Sequence, residues 1–258
     1  MVAIVTGASG GIGADLARVL AREGRDLALV ARDGARLAAL AGEIERGGRP
    51  RPLVVPLDLA RPDAGEKLAG ELAAAGASPD ILVNNAGFGL AGLAGDLDRA
   101  GQIEIVDLNI RALTGLTLRF LPEIVAARGR VLNVASVAAF LPGPGMAVYY
   151  ASKAFVVSFS DALSAELAGT GVTVTTLCPG VTRTGFQARA GVAGGLLKAL
   201  PGMSAMAVAE AGYRGMMAGR RRVVPGLTNK LLVAILPFVP GAILLPLMAR
   251  VQARRRAP

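Results

Sequence analysis

The chain of 258 residues is 53% hydrophobic, which suffices for one large buried core and predicts a single domain. It contains no histidine and one cysteine, Cys178, so an intramolecular disulfide, a His-based catalytic triad and a His-containing metal site are excluded, and we predict no metal. The net charge of +9 is unevenly placed: of 28 basic and 19 acidic residues, nine basic and no acidic ones follow Glu210.

Short apolar runs alternate with helical patterns along the chain. The runs are continuously apolar, which is typical of strands covered on both faces of a parallel sheet. We predict strands at 2–6, 27–31, 53–57, 81–83, 131–134, 172–177 and 222–224, and helices at 13–23, 35–46, 64–75, 99–127 and 149–168. This alternation predicts an α/β fold, a doubly wound parallel sheet of about seven strands with its ligand crevice at the carboxyl ends of the strands. Met1 leads directly into the first strand, so we expect no signal peptide and a cytoplasmic location.

A glycine-rich turn follows the first strand, and a helical pattern begins within it. Glycines let the backbone turn tightly and approach a pyrophosphate, which would lie on the first amides of the helix. Such a turn could also simply need positive φ angles, but its position between a strand and a helix is the one that dinucleotide binding requires. The predicted cofactor-binding residues in this turn are Gly7, Ser9, Gly11, Ile12 and Gly13.

The end of the second strand indicates which cofactor is bound. NAD-binding proteins place an acidic residue there to bind the ribose 2′-hydroxyl, whereas this chain has Ala31 followed by Arg32, which could hold a 2′-phosphate. This favours NADP(H) over NAD(H). Two observations leave the choice open: Asp33 lies at about the interval expected of an NAD-binding acid, and Arg32 also fits a solvated residue at a helix start.

Tyr149 and Lys153 lie four residues apart in a predicted helix. Residues at this spacing share a helix face, so the Lys153 ammonium can lie near the Tyr149 phenol. A nearby cation favours phenolate and lowers the pKa of about 10 that makes free tyrosine a poor acid or base near neutral pH. The pair also fits an aromatic ring packed on a lysine stem, and Tyr150 shares the same face.

Together these motifs resemble the short-chain dehydrogenase/reductase family over residues 2–184. The motifs in family order are Thr6-Gly7-x-x-x-Gly11-x-Gly13, Asp58, Asn84-Asn85-Ala86-Gly87, Asn109, Ser136, Tyr149-x-x-x-Lys153 and Pro179-Gly180-x-x-x-Thr184. Ser136 precedes Tyr149 by the family's usual interval, which selects Tyr149 over Tyr150. The resemblance implies a Rossmann fold and an NADP(H)-dependent oxidoreductase that moves a hydride between nicotinamide and a carbonyl compound or secondary alcohol.

The resemblance also implies a role for each motif. Tyr149 would be the general acid/base, and Lys153 would lower its pKa and hold the nicotinamide ribose. Ser136 would bind the substrate oxygen, and Asn109 would anchor a water that links Lys153 to solvent. Asn85 would tie the central strands together. The remaining cofactor contacts would come from Asp58 at the adenine, from Asn84, Ala86 and Gly87 at the adenosine and ribose, and from Pro179, Gly180, Val181 and Thr184 at the nicotinamide carboxamide.

Three apolar, glycine-rich loops would form the substrate pocket, at 88–96, 140–146 and 186–204, which predicts a hydrophobic or lipid-like substrate. The family's common assembly pairs the helices at 99–127 and 149–168 between subunits, so we expect a homodimer or homotetramer. One alternative is a catalytically silent NADP(H)-binding regulator or scaffold, although such relatives commonly lack the tyrosine or lysine. The other is a relationship to the longer epimerase-type relatives. The basic residues are not interleaved with stacking aromatics, so we predict no nucleic-acid partner.

The residues after the catalytic domain (1–228) form an apolar and basic extension (229–258). Nineteen uncharged residues, 231–249, would span ~28 Å as one helix, close to the thickness of a bilayer core. Pro237, Pro240 and Pro246 argue against one straight helix. Three arrangements remain: two short helices packed on the body or over the pocket, an interfacial anchor, or a true span. We predict reversible, peripheral association with an anionic membrane at its inner face.

Overall fold

The computed structural model describes residues 1–191 and 202–253. Seven parallel strands of the described residues form one sheet of order β3-β2-β1-β4-β5-β6-β9, and a short parallel pair, β7 and β8, lies apart from it. The strands are β1 (Val2–Thr6), β2 (Asp26–Ala31), β3 (Leu53–Pro56), β4 (Pro79–Asn84), β5 (Arg130–Val134), β6 (Thr173–Leu177), β7 (Thr182–Arg183), β8 (Met203–Ser204) and β9 (Arg222–Val223). The order reverses beside β1, which is the doubly wound topology that the sequence predicts.

Helices cover both faces of the sheet. They are α1 (Gly11–Arg22), α2 (Gly34–Arg46), α3 (Ala64–Ala74), α4 (Arg99–Val106), α5 (Leu113–Ala126), α6 (Ala147–Glu166), α7 (Phe186–Arg189), α8 (Ala205–Met217), α9 (Leu227–Ile235) and α10 (Gly241–Ala253). On β1, Ala3 and Val5 face the core shared with α1, α2 and α8, whereas Val2 and Ile4 face the core shared with α3, α5 and α6. Burial on both faces explains why the strand sequences are continuously apolar rather than alternating.

The predicted helix at 99–127 is divided. A π-helical segment, Asp107–Ala112, separates α4 from α5, and it contains the buried residue Asn109. Periodicity along the sequence cannot reveal one extra residue in a single turn, and such π segments frequently occur at functional sites. The helix predicted at 149–168 begins two residues earlier, at Ala147.

The uncharged stretch 231–249 is divided between two helices. α9 ends at Ile235, a 3-10 turn follows at Leu236–Phe238, and α10 begins at Gly241. Pro237 and Pro240 therefore lie where the helix stops, whereas Pro246 lies inside α10, and the stretch is not one straight helix, as predicted. No helix within 1–191 and 202–253 is both long and apolar enough to cross a membrane. Residues 192–201 of the predicted pocket loop and Arg254–Arg256 lie outside the described residues.

Candidate active site

The glycine-rich turn after β1 borders a cleft of about 580 Å³. Gly7 and Gly11 have positive φ angles of 65° and 55°, a conformation that other residues rarely adopt. A Cβ atom at Gly13 would lie 2.4 Å from the Gly7 carbonyl oxygen, so only glycine lets α1 start this close to β1. Ser9 and Gly11 line the cleft, whereas the Ile12 side chain packs on the core and leaves only its main chain available to a ligand. This cradle fits the phosphates of a dinucleotide.

Asn85 joins the ends of β1 and β4, as predicted. Its Nδ2 donates to the carbonyl oxygen of Thr6 at 2.9 Å, and its main-chain N–H donates to the Thr6 hydroxyl at 2.9 Å. The N–H of Ala86 also donates to that hydroxyl, at 3.0 Å, and the hydroxyl itself donates to the carbonyl of Val83. This network fixes the segment after β4 against the glycine-rich turn.

The Asn84 side chain makes its contacts inside the sheet. It is buried there and donates to Thr117 and to Asn133, both at 2.9 Å. The predicted contact of Asn84 with the adenosine would therefore be made by its main chain. Asp58 follows β3, and its carboxylate accepts from the N–H of Ala60 at 3.1 Å.

Arg32, the predicted 2′-phosphate ligand, is held by a residue that the sequence analysis missed. Its guanidinium forms a 2.9 Å ion pair with Glu104 on α4. Asp33 caps the start of α2 by accepting from the N–H of Arg36 at 3.0 Å, and it also pairs with the Arg36 guanidinium at 3.3 Å. Asp33 is thus already occupied as a helix cap, and Arg36 lines the cleft. No local sequence signal connects Arg32 with Glu104, because they lie 72 positions apart.

Tyr149, Ser136 and Lys153 lie together at the carboxyl end of β5. The Lys153 Nζ lies 5.9 Å from the centre of the Tyr149 ring and donates to the carbonyl oxygen of Val134 at 2.9 Å. The Ser136 hydroxyl lies close enough to the Tyr149 phenol to lower its pKa, and it donates to the carbonyl oxygen of Pro179 at 3.4 Å. All of these side chains except that of Ser136 are buried in the described structure. The arrangement agrees with the predicted positions of the acid/base, the cation and the oxygen-binding hydroxyl.

The pKa values of these groups differ from our expectation. Burial raises the pKa of Tyr149 to about 12, and the hydrogen bond with Ser136 only partly opposes this rise. Burial also lowers the pKa of Lys153 to about 8, because the buried site disfavours the ammonium. The prediction that Lys153 leaves Tyr149 with a lowered pKa is therefore wrong for the protein alone. Desolvation of the phenol is the largest cause of this rise in pKa.

Asn109 uses its side chain to hold the same region together. Its Nδ2 donates to the carbonyl oxygen of Phe88 at 3.0 Å and to the Ser152 hydroxyl at 2.9 Å, and its Oδ1 accepts from the N–H of Phe88 at 3.1 Å. Both amide hydrogens are therefore used within the protein. Gly87 lies against it, because a Cβ there would be 2.8 Å from Asn109 Oδ1 and 3.4 Å from Lys153 Nζ.

The segment after β6 completes the edge of the cleft. The Pro179 carbonyl accepts from the N–H of Val137 at 3.0 Å, which places the segment beside Ser136. Thr184 lies over the glycine-rich turn, 3.2 Å from where a Cβ of Gly11 would be. Val181 pairs through its carbonyl with Met203 at 3.0 Å. The predicted carboxamide loop therefore lies close to the predicted pyrophosphate loop, although the two are far apart in the sequence.

Gly180 of this loop is in close contact with the C-terminal extension. A Cβ at Gly180 would lie 2.4 Å from Oδ1 of Asn229, and Asn229 donates through Nδ2 to the carbonyl oxygen of Pro225 at 2.7 Å. The sequence analysis missed Asn229, which follows directly after the predicted domain boundary. No signal in the sequence relates it to Gly180.

An apolar cluster surrounds the Tyr149 side chain and includes residues from four parts of the chain. The Phe186 ring centre lies 5.3 Å from that of Tyr149. From α10, Met248 is buried in this cluster and Leu244 packs against it. The other members are Ala91, Ala138, Leu141, Met146, Tyr150 and Ala190. Described residues of all three predicted pocket loops belong to this cluster, and the extension contributes to it.

Comparisons with known proteins agree with this arrangement. The family described as short chain dehydrogenase matches residues 1–192. Sulfoacetaldehyde reductase 2 from Chromohalobacter salexigens is 39% identical over 188 residues, which are 72% of this chain and 74% of that protein. Probable oxidoreductase EphD from Mycobacterium tuberculosis is 38% identical over 190 residues, 72% of this chain but 32% of that protein. This chain thus matches about a third of the length of the mycobacterial relative.

Solved structures match over more of the chain. A short-chain dehydrogenase from Sphingobium yanoikuyae in complex with NADPH is 32% identical, with a TM-score of 0.79 over 93% of this chain and 97% of that one. A short-chain dehydrogenase/reductase from Burkholderia phymatum in complex with NAD is 26% identical, with a TM-score of 0.80 over 91% of this chain and 92% of that one. The family match, the sheet order and the grouping of Ser136, Tyr149 and Lys153 lead to one conclusion: this chain belongs to the short-chain dehydrogenase/reductase family.

Proposed function

We propose that this protein is an NADP(H)-dependent oxidoreductase that interconverts a hydrophobic carbonyl compound, a ketone or an aldehyde, and the corresponding secondary or primary alcohol. The observation that carries the proposal is the Tyr149 phenol, buried among apolar side chains and beside Ser136 and Lys153. A tyrosine that merely packed in a core would not need a buried lysine 5.9 Å from its ring. The nicotinamide, when bound, supplies or accepts the hydride.

The residues around the phenol have separate proposed roles. Ser136 hydrogen-bonds the substrate oxygen and stabilises charge that develops on it. Tyr149 gives its proton to that oxygen during reduction and takes it back during oxidation. Lys153 holds the nicotinamide ribose, and its ammonium stabilises the phenolate. Asn109 fixes the Phe88 segment and Ser152 through its side chain, so a proton-relay water would have to be bound by its main chain rather than by its amide hydrogens.

Three further sets of contacts complete the proposed cofactor site. Ser9, Gly11 and the first amides of α1 bind the pyrophosphate, and Asp58, Ala86 and Gly87 border the adenosine. The main chain of Pro179, Gly180 and Val181, with Thr184, orients the carboxamide. Support comes from the close approach of Thr184 to Gly11 and from the network between Ala86 and Thr6.

Arg32 is the proposed selector for NADP(H). We expect Arg32→Ala to raise the KM for NADPH by about tenfold or more, because a charge-assisted hydrogen bond to phosphate is lost, and to leave the KM for NADH almost unchanged. Glu104→Gln is the matched control: it removes the carboxylate that holds Arg32 and should lower the KM for NADPH. Steady-state kinetics with both cofactors measure this. If the unmodified enzyme prefers NADH, Asp33 is the selector instead.

We propose a homodimer or homotetramer that pairs α4, α5 and α6 of neighbouring subunits. Three large apolar side chains on α4 and α5 are exposed: Ile103, Val106 and Leu118, at 52%, 37% and 56%. Light scattering at micromolar concentration should show at least a dimer, and Leu118→Asp should shift it to monomer because a charge would be buried in the interface. Leu93→Asp changes a leucine of similar exposure, 52%, outside these helices and should not. A monomeric unmodified protein would refute the assembly.

The function is tested by a dehydrogenase screen of ketones, 3-oxoacyl thioesters, retinoids and steroids with NADPH and with NADH. Turnover of an apolar carbonyl substrate, abolished by Tyr149→Phe, is the expected result. Tight cofactor binding without turnover of any substrate would instead favour the silent regulatory alternative.

We also propose that the body works in the cytoplasm while residues 229–258 associate reversibly with the inner face of an anionic membrane.

A further inference from the structure

The outer side of the extension exposes an unusual concentration of large apolar side chains. In the described part of the chain, eight of the thirteen exposed large apolar residues lie between 227 and 247. We call these eight the outer face; they are Leu227, Leu231, Leu232, Ile235, Phe238, Ile243, Leu245 and Leu247. Phe238 is 85% exposed, and α9 has no buried residue. An apolar surface of this kind marks an interaction site rather than an ordinary protein surface.

The charges that flank and interrupt the outer face in the sequence indicate an anionic occupant. Arg220, Arg221, Lys230 and Arg250 are exposed, and none of the four forms an ion pair within the described residues. The sequence after Glu210 holds nine basic residues and no acidic one. A symmetric contact with a second copy of this face would bring like charges together. An anionic lipid surface supplies both the apolar interior and the negative charge that these residues require.

The inner side of the same helices contacts the active site. Leu244 and Met248, four residues apart on α10, pack on the cluster that contains Tyr149. On α9, Asn229 contacts Gly180 of the proposed carboxamide loop. Each of the two helices therefore contributes residues to the active-site region and residues to the outer face.

We infer that the α9–α10 extension docks its outer face on an anionic membrane and forms a wall of the substrate site with Leu244 and Met248, so that a long-chain carbonyl compound passes from the lipid to Tyr149. This inference rests on the proposed function and adds the substrate class and its route. A helix is about 10 Å across, so α10 separates the lipid from the site by its own thickness. An apolar chain could then reach the phenol without crossing water, which would cost free energy for each exposed methylene.

The experiment separates the two sides of the extension. Vesicles of phosphatidylglycerol and phosphatidylcholine, and vesicles of phosphatidylcholine alone, are sedimented with the full chain. Hexadecanal in the vesicles and propanal in buffer serve as long and short substrates of the same chemistry. The outer variant is Leu231→Ser with Phe238→Ser, and the inner variant is Leu244→Ala with Met248→Ala.

We expect the unmodified chain to sediment with the anionic vesicles and not with the neutral ones. The outer variant should lose this binding by about tenfold or more and turn over propanal as before, while its hexadecanal turnover falls in parallel with binding. The inner variant should still bind vesicles but raise the KM for hexadecanal by about tenfold relative to that for propanal.

Three results would overturn the inference: no binding of the full chain to anionic vesicles, unchanged binding of the outer variant, or equal effects of the inner variant on both aldehydes. Failure of the proposed function looks different, because neither aldehyde would then be reduced. In that case the melting temperature is measured with and without hexadecanal, and a rise on binding tests the inference without turnover. A rise that is lost in the inner variant supports the wall, and no rise in the unmodified chain refutes it.

Discussion

Replacing Tyr149 with phenylalanine should reduce kcat by about two to four orders of magnitude while NADPH affinity stays within a few fold, because the change removes only the transferable proton. The ring remains and can keep its contact with Phe186, whose ring centre lies 5.3 Å away. The loss should therefore appear in turnover and not in folding. Single-turnover kinetics and a cofactor titration on the same preparation measure the two quantities.

Tyr150→Phe is the control, since Tyr150 is the next residue, belongs to the same apolar cluster and is equally buried, at 9%. It should keep most of the activity. If the two outcomes were exchanged, the thirteen-residue spacing from Ser136 would have selected the wrong tyrosine and the general acid would be Tyr150.

Lys153→Met should abolish efficient turnover and yet make the protein more stable at pH 7, by about 2 kcal/mol. Burial lowers the pKa of Lys153 from 10.5 to about 8, which corresponds to a cost of about 3 kcal/mol for folding with a charged amine. Methionine avoids that cost, but it leaves the Val134 carbonyl without the donor that lies 2.9 Å away. The loss of this hydrogen bond destabilises the variant by about 1 kcal/mol. Cofactor affinity should fall further than in Tyr149→Phe, because the proposed ribose ligand is also lost.

The pH dependence identifies the cause of the stability difference. Below pH 8 the amine is protonated in both the folded and the unfolded chain, so the cost of burial is fully present. Between pH 8 and 10.5 the unfolded chain binds more protons than the folded one, so the unmodified protein gains stability relative to the variant. Urea unfolding across this range should show the advantage of Lys153→Met disappear. Lys230→Met, at an exposed lysine, should show no such change; a pH-independent advantage would exclude the buried charge.

The sheet and the residues around Tyr149 could be predicted because their signals are local or belong to recognisable motifs. Continuous apolar runs predict the strands. The glycines of the turn are recognisable because close contacts, such as that between Gly13 and the Gly7 carbonyl, leave no room for a side chain. The motif could not tell whether the side chain or the main chain of Asn84 would face the cleft, because alternate residues of a strand face opposite sides. The pKa of Tyr149 was mispredicted because helical spacing reports the nearby lysine but not the depth of burial.

Two tertiary contacts could not be read from the sequence for a different reason. Glu104 reaches Arg32, and Asn229 reaches Gly180, only through the tertiary fold, and neither pair has a spacing that any local pattern encodes. The division of 231–249 into two helices was one of three predicted arrangements, and the prolines at 237 and 240 favoured it. Which side of those helices faces the body depends on packing against Tyr149 and Phe186, which lie far away in sequence.

The contact between Asn229 and Gly180 bears on how this protein can change during evolution. With 2.4 Å between Asn229 Oδ1 and the position of a Cβ, any larger residue at 180 would need a smaller or displaced residue at 229. The extension is therefore not a detachable module that could be exchanged between relatives while the catalytic body stays constant. A new substrate preference acquired through the last helices would have to preserve this contact or be accompanied by a change in the carboxamide loop, so the two segments are expected to covary among homologues.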